Sequence, residues 1–166
     1  MKSFFPLLIV ALVLGVATSC KNNKGNEDAE VSAITSIADI NKQEGEKYIA
    51  EQMKKDSAFV QTPSGLCYKI LNEGEGDNFK ENDVVDVIYM GKHIDGTEFD
   101  NSNGNAVQFP LQNVVAGFRE VITHMKPGSK AIAIIPGHLG YGDRGQGPIG
   151  PNETLVFELT TVGLHK

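Results

Sequence analysis

"NVVAGFREVITHMKPGSKAIAIIPGHLGYGDRGQGPIGP", residues 113–151, holds the two readings between which the fold class is decided. Its second half contains a G-x-G-x-x-G pattern (Gly140, Gly142, Gly145) after the apolar run "AIAIIPGHL", the spacing of a dinucleotide-binding loop. Such a loop works only when its third glycine opens a helix whose first amides face pyrophosphate, with an acidic residue ~20 positions further on for the ribose. Here Gly145 runs into "QGPIGP", where two prolines and two more glycines oppose a helix start, and too little chain follows for another βαβ unit. The stretch is therefore predicted to be a glycine-rich loop between strands, not a phosphate cradle. The first half predicts one core helix from Asn113 to Met125. Val114, Val115, Phe118, Val121, Ile122 and Met125 fall on one face, Asn113 is placed as N-cap, and Pro127 and Gly128 stop the helix.

Working outward, strands flank this helix on both sides. Pro63, Ser64 and Gly65 punctuate the start of the domain, "LCYKIL" (66–71) sets Leu66, Tyr68 and Ile70 on one face, and "EGEGD" (73–77) turns the chain. "DVVDVIYMGKHI" (83–94) is a second strand; Asp95 and Gly96 predict a two-residue hairpin that returns "TEFDNS" (97–102) antiparallel beside it. "KAIAII" (130–135) and "TLVFELTTVGL" (154–164), with Leu155, Phe157 and Leu159 alternating, supply the remaining strands. The fold class that follows is α+β: a twisted antiparallel sheet that must wrap one short helix to bury it. Further upstream, Ile40, Tyr48, Ile49 and Met53 form a narrow apolar stripe in a helical extension over residues 39–58, predicted to be interrupted near Gly45.

The N-terminus and the charge balance restrict partners. "MKSFFPLLIVALVLGVATSC" carries an apolar run shorter than the ~20 residues that span a bilayer, followed by small residues ending in Cys20, so a cleaved signal is expected. It resembles a bacterial lipoprotein signal peptide (1–19), which implies lipidation at Cys20, a flexible tether over 20–38, and attachment to a membrane through acyl chains. A formal net charge of -6 with scattered lysines argues against nucleic acid as a partner. Cys67, the other cysteine, reads as a small packed residue. His93, His124, His138 and His165 stand apart without ligand spacing, so no metal is expected. Neither a nucleophile elbow nor an acid and base spacing for hydrolysis is present, which leaves chemistry to a shaped apolar pocket.

Four blocks in order carry a resemblance: "VIYMGKHIDGTEFDNS" (87–102), "VVAGFREVITHMKPGSKAIAIIP" (114–136), "GYGDRGQG" (140–147) and "PNETLVFEL" (151–159). Together they resemble the FKBP-type peptidyl-prolyl cis-trans isomerases, over residues 45–164. The resemblance implies an aromatic-lined hollow between helix and sheet that accelerates X-Pro isomerisation in exported proteins, at residues 59–166, without a cofactor. It places Tyr89, Phe99, Asp100, Tyr141 and Phe157 as catalytic, and Val107, Val114, Val115, Phe118 and Ile149 as substrate-binding. The Ile149 amide and the Tyr141 hydroxyl would hold peptide carbonyls, and Asp100 would either orient Tyr89 or polarise the twisted amide. Phe118 stands where the family usually carries tryptophan, and Val107 where it carries an aromatic wall residue. Implied partners are X-Pro polypeptides and tacrolimus-type macrolides; the implied setting is the bacterial cell envelope, periplasmic or outer-membrane face, as a monomer or weak dimer. The alternative reading is a non-catalytic chaperone or interaction module that holds proline-containing segments.

Overall fold

Successive side chains of a strand point to opposite faces, and the apolar residues at 131–135 occupy both, so this strand must be covered twice. The computed structural model describes residues 36–165; the signal segment, the Cys20 lipidation position and the tether up to residue 35 lie outside the described residues. In chain order the elements are α1 (Ile37–Lys55), β1 (Val60–Gln61), β2 (Cys67–Asn72), β3 (Val84–His93), β4 (Glu98–Asn101), β5 (Val107–Pro110), α2 (Ala116–Thr123), β6 (Lys130–Ile135) and β7 (Leu155–Leu164). The strands form one sheet in the order β1-β2-β6-β7-β3-β4, with β5 also paired to β3, and every neighbouring pair is antiparallel.

One face of the sheet takes α2. Ala131, Ala133 and Ile135 of β6 and Leu155, Phe157 and Leu159 of β7 join Leu66 against Phe118, Val121 and Ile122, all buried. Each large side chain taken out of water here contributes ~1.5–3 kcal/mol. The other face takes α1. Ile134 and Cys67 are buried under Ile49 and Phe59, with Tyr48, Met53, Ile132 and Val156 packed around them. Burial leaves Cys67 with no access to solvent and pushes its thiol up to about 11, so it is an inert packed residue, as its setting in the sequence suggests.

Three local expectations need correction, and two strands come in addition. First, α1 begins two residues before the expected start at Asp39, and it passes through Gly45 without a break. Gly45 is buried where the helix meets Thr154 so closely that a Cβ would overlap the threonine side chain; the glycine serves contact, not interruption. Ser36 and Asp39 close a capping box at the N-terminus, and Ile40 remains 43% exposed, off the packed stripe. Second, α2 is shorter than predicted. Residues Leu111–Asn113 form a 3-10 turn, and Val115 rather than Asn113 is the N-cap, with no side-chain cap bond. Third, the β3–β4 connection spans Ile94, Asp95 and Gly96: the His93 amide donates to the Thr97 carbonyl, and Gly96 alone takes the left-handed conformation, at φ 89°. The two added strands, β1 and β5, have no counterpart in the sequence reading. Among the described residues, no helix is long and apolar enough to cross a membrane.

Candidate active site

Aromatic residues from five separate elements converge between α2 and the sheet. Phe118 projects from the first turn of α2 because Val115, Phe118, Val121 and Ile122 share the apolar helix face. Its ring lies 5.6 Å from Phe157 of β7, nearly perpendicular at 88°, and 5.3 Å from Phe109 of β5. Phe157 meets Phe99 of β4 edge-on at 5.7 Å and 84°; Tyr89 of β3 meets Phe109 at 5.5 Å and 71°. Edge-to-face pairs at these separations satisfy the ring quadrupoles, at ~0.5–1.5 kcal/mol each beyond area burial. The sheet allows this clustering because Gly91, paired with Phe157 across β3 and β7, has no side chain to displace the Phe99 ring: a Cβ there would lie 2.6 Å from Phe99 Cζ.

Polar groups occur at one side of this cluster. The Tyr89 hydroxyl donates to Asp100 Oδ2 at 2.8 Å. Burial, then this hydrogen bond and the carboxylate charge, push the Tyr89 phenol up to about 12. Tyr141, half-buried against the same core, has its phenol raised by burial and then by the charge of Asp100. Both phenols are therefore protonated donors at neutral pH.

The chain around Tyr141 is the glycine-rich stretch. After β6 it makes two 3-10 turns, Gly137–Leu139 and Gly142–Arg144, and no helix follows Gly145. Gly145 and Gly147 have φ of 62° and 56°, and the segment between Gln146 and Ile149 closes as a small antiparallel bridge. This geometry turns the chain back toward β7 and seats Ile149, 6% exposed, in the core.

The profile of FKBP-type peptidyl-prolyl cis-trans isomerases matches residues 76–162. The chain belongs to the FKBP-type peptidyl-prolyl cis-trans isomerase family. A probable FKBP-type isomerase of Neisseria meningitidis is 44% identical over 128 residues, 75% of this chain and 47% of that protein. The FKBP-type 22 kDa isomerase of Escherichia coli is 45% identical over 119 residues, 70% of this chain and 57% of its own. The chain thus spans about half the length of the curated relatives it matches. Among solved structures, FkpA of Escherichia coli superposes with a TM-score of 0.73 at 36% identity, over 76% of this chain and 60% of that one. An isomerase of Pseudomonas syringae superposes with 0.72 at 26% identity, over 79% and 98%.

Within this FKBP-type domain, Tyr89, Phe99, Val114, Val115, Phe118, Tyr141, Ile149 and Phe157 all lie in or against the core that contains the aromatic cluster, and Asp100 is bonded to Tyr89. Val107 pairs with Val87 on β5 but is not among the side chains packed on that core; the aromatic on this strand is Phe109, two residues on and on the same face. The period-two spacing of Val107 and Phe109 was the sequence signal for it. One expectation at the site needs correction, that for Ile149. Its amide donates to the Gln146 carbonyl at 2.9 Å and its carbonyl accepts from Gln146 N at 2.9 Å, so that amide is already engaged. The first amides of α2, from Val115 on, by contrast have no acceptor within their own helix. His93, which meets Phe99 at 5.2 Å, carried no sequence signal, because its partner Glu153 is sixty positions away. A separate cavity of 560 Å³ runs along α1, bounded by Lys42, Glu46, Met53, Pro136 and His138, and shares no residue with the aromatic cluster.

Proposed function

We propose that this chain accelerates cis-trans isomerisation of X-Pro bonds in polypeptides, with the proline ring held among Phe118, Phe157, Phe99, Phe109 and Tyr89. The observation that carries the reading is the meeting of these rings beside the bonded Tyr89–Asp100 pair. Rotation about an X-Pro amide is slow because it sacrifices resonance, a barrier of ~18–20 kcal/mol, and it makes or breaks no covalent bond to carbon. A pocket needs only to bind the twisted amide better than either planar form; each ~1.4 kcal/mol of such preference gives a tenfold rate increase. The apolar rings exclude water, which favours the twisted amide, whose charge separation is smaller. Asp100 accepts from Tyr89 and so orients its ring; this favours the orienting role over polarisation of the amide. The Tyr141 hydroxyl and the first amides of α2 are the donors for the flanking peptide carbonyls, in place of the engaged Ile149 amide.

The client class is exported protein, because the N-terminal segment has the form of a lipoprotein signal with acylation at Cys20. A relative from Legionella longbeachae, 38% identical over 132 residues, is named an outer membrane protein, which supports a place in the cell envelope. Tacrolimus-type macrolides are ligands of the same hollow in this reading, and the protein acts as a monomer or weak dimer.

Exchange NMR on a short X-Pro peptide tests the activity directly. Acceleration that falls at least about tenfold in a Tyr89→Phe, Asp100→Ala double variant supports the reading. Binding of unfolded protein with no acceleration by the parent chain overturns it in favour of a proline-segment-binding module.

A further inference from the structure

We propose that Glu153 and His93 form a positioning pair that holds the wall of the proline pocket in place; the inference rests on the activity proposed above. Glu153 lies in the loop just before β7 and uses both carboxylate oxygens. Oε1 stands 2.5 Å from His93 Nδ1 at the end of β3, and Oε2 accepts the Gly150 amide at 2.7 Å. The two side chains are only 17% and 19% exposed, so the contact is shielded from water and salt. Each end of this bridge leads to a wall residue. The His93 ring meets Phe99 at 5.2 Å and 64°, and Phe99 in turn meets Phe157. Gly150 directly follows Ile149, whose amide and carbonyl close the tight bridge with Gln146.

Two wall residues on different strands and loops, Phe99 and Ile149, are thereby tied through one carboxylate. The loop is also held from outside: Asn41 of α1 donates to the Pro151 carbonyl at 2.8 Å, and Gly45 of α1 abuts Thr154. Neither of these outer contacts reaches the hairpin that carries Phe99; beside the backbone pairing of His93 with Leu155, the Glu153 side chain couples the loop to that hairpin. Hydrogen bonds to an ionised carboxylate are shorter and stronger than neutral ones, which suits a group that must fix a loop within a fraction of an ångström. Glu153 and His93 need not touch the substrate. They set where its walls stand before it binds, and the grip of those walls on the proline ring, which is common to the planar and twisted forms, governs binding more than rotation.

The test is a KM-against-kcat split on the full chain, by exchange NMR with an X-Pro tetrapeptide, below the unfolding temperature of each protein. Glu153→Ala is expected to raise KM about fivefold to tenfold with kcat within about twofold of the parent. Glu153→Gln keeps an oxygen for the Gly150 amide and a polar group for His93, and is expected to restore KM to within about twofold. Should Glu153→Ala fail to fold, His93→Leu cuts the same bridge from the other end and is expected to raise KM about threefold. An active parent with unchanged KM in Glu153→Ala or His93→Leu overturns the positioning role, as does a Glu153→Gln protein no better than Glu153→Ala. An inactive parent chain overturns the proposed activity itself, and this inference with it.

Discussion

Replacing Phe157 by alanine separates what the aromatic cluster does for the fold from what it does for the substrate. The ring is 5% exposed and stands 5.6 Å from Phe118 and 5.7 Å from Phe99, so its removal opens a cavity between two rings held by the helix and by β4. Truncation of a buried phenylalanine costs ~3–5 kcal/mol, out of a total stability of ~5–15 kcal/mol for a domain. At about 4 °C per kcal/mol for a domain of this size the melting temperature should fall by about 12–20 °C, measured by circular dichroism. At about 10 °C, where uncatalysed isomerisation takes minutes, the variant remains mostly folded and its rate can be read. There, on the proposed function, it should retain a tenth or less of the parent activity, since one wall of the proposed proline pocket is gone. A melting temperature within about 3 °C of the parent would refute the burial argument. Full activity in the folded variant would refute the wall assignment. Tyr89→Phe is the matched control: it keeps the ring, loses only the bond to Asp100, and should lower stability by about 1 kcal/mol.

All four tyrosines have phenols raised above their ordinary value of 10.0, with burial the first cause in each and Tyr89 reaching about 12; with no tryptophan present, phenolate absorbance reports them cleanly. The unfolded chain releases its phenol protons near pH 10 while the folded chain retains them. Unfolding free energy should thus be unaffected by these groups below pH 10 and fall as pH rises from about 10 to 12. Stability that held constant or rose across that window would contradict the burial of these residues. Gly45→Ala tests the docking of α1. In a solvent-exposed helix the change is worth ~1 kcal/mol of added stability, whereas against Thr154 overpacking should cost ~1–3 kcal/mol. Chemical denaturation gives the sign, and a stabilised variant would refute the contact.

The helix after Val115, the alternation in β7 and the non-helical glycine loop were legible because each is set locally. Phe118, Val121 and Ile122 repeat at helical spacing, Leu155, Phe157 and Leu159 at strand spacing, and Pro148 and Pro151 deny a helix whatever surrounds them. The site residues came instead from the resemblance carried by the family blocks, and two of them, Tyr141 and Ile149, stand in the aperiodic glycine loop. Gly45 was misread, since a glycine in a helix looks like a break until its neighbour from the other end of the chain, Thr154, is in place.

By itself, then, the sequence determined the α+β class and the helix and strand faces, because side-chain period and turn chemistry act within a few residues. Tertiary structure alone decided the rest. It laid α1 across the second face of β6, engaged the Ile149 amide with Gln146, placed Phe109 rather than Val107 against Phe118, and brought Glu153 to His93. Each of these depends on groups distant in sequence or on a backbone turn that residue identity does not specify. Packing and hydrogen-bond saturation fix them only once the sheet has closed around α2.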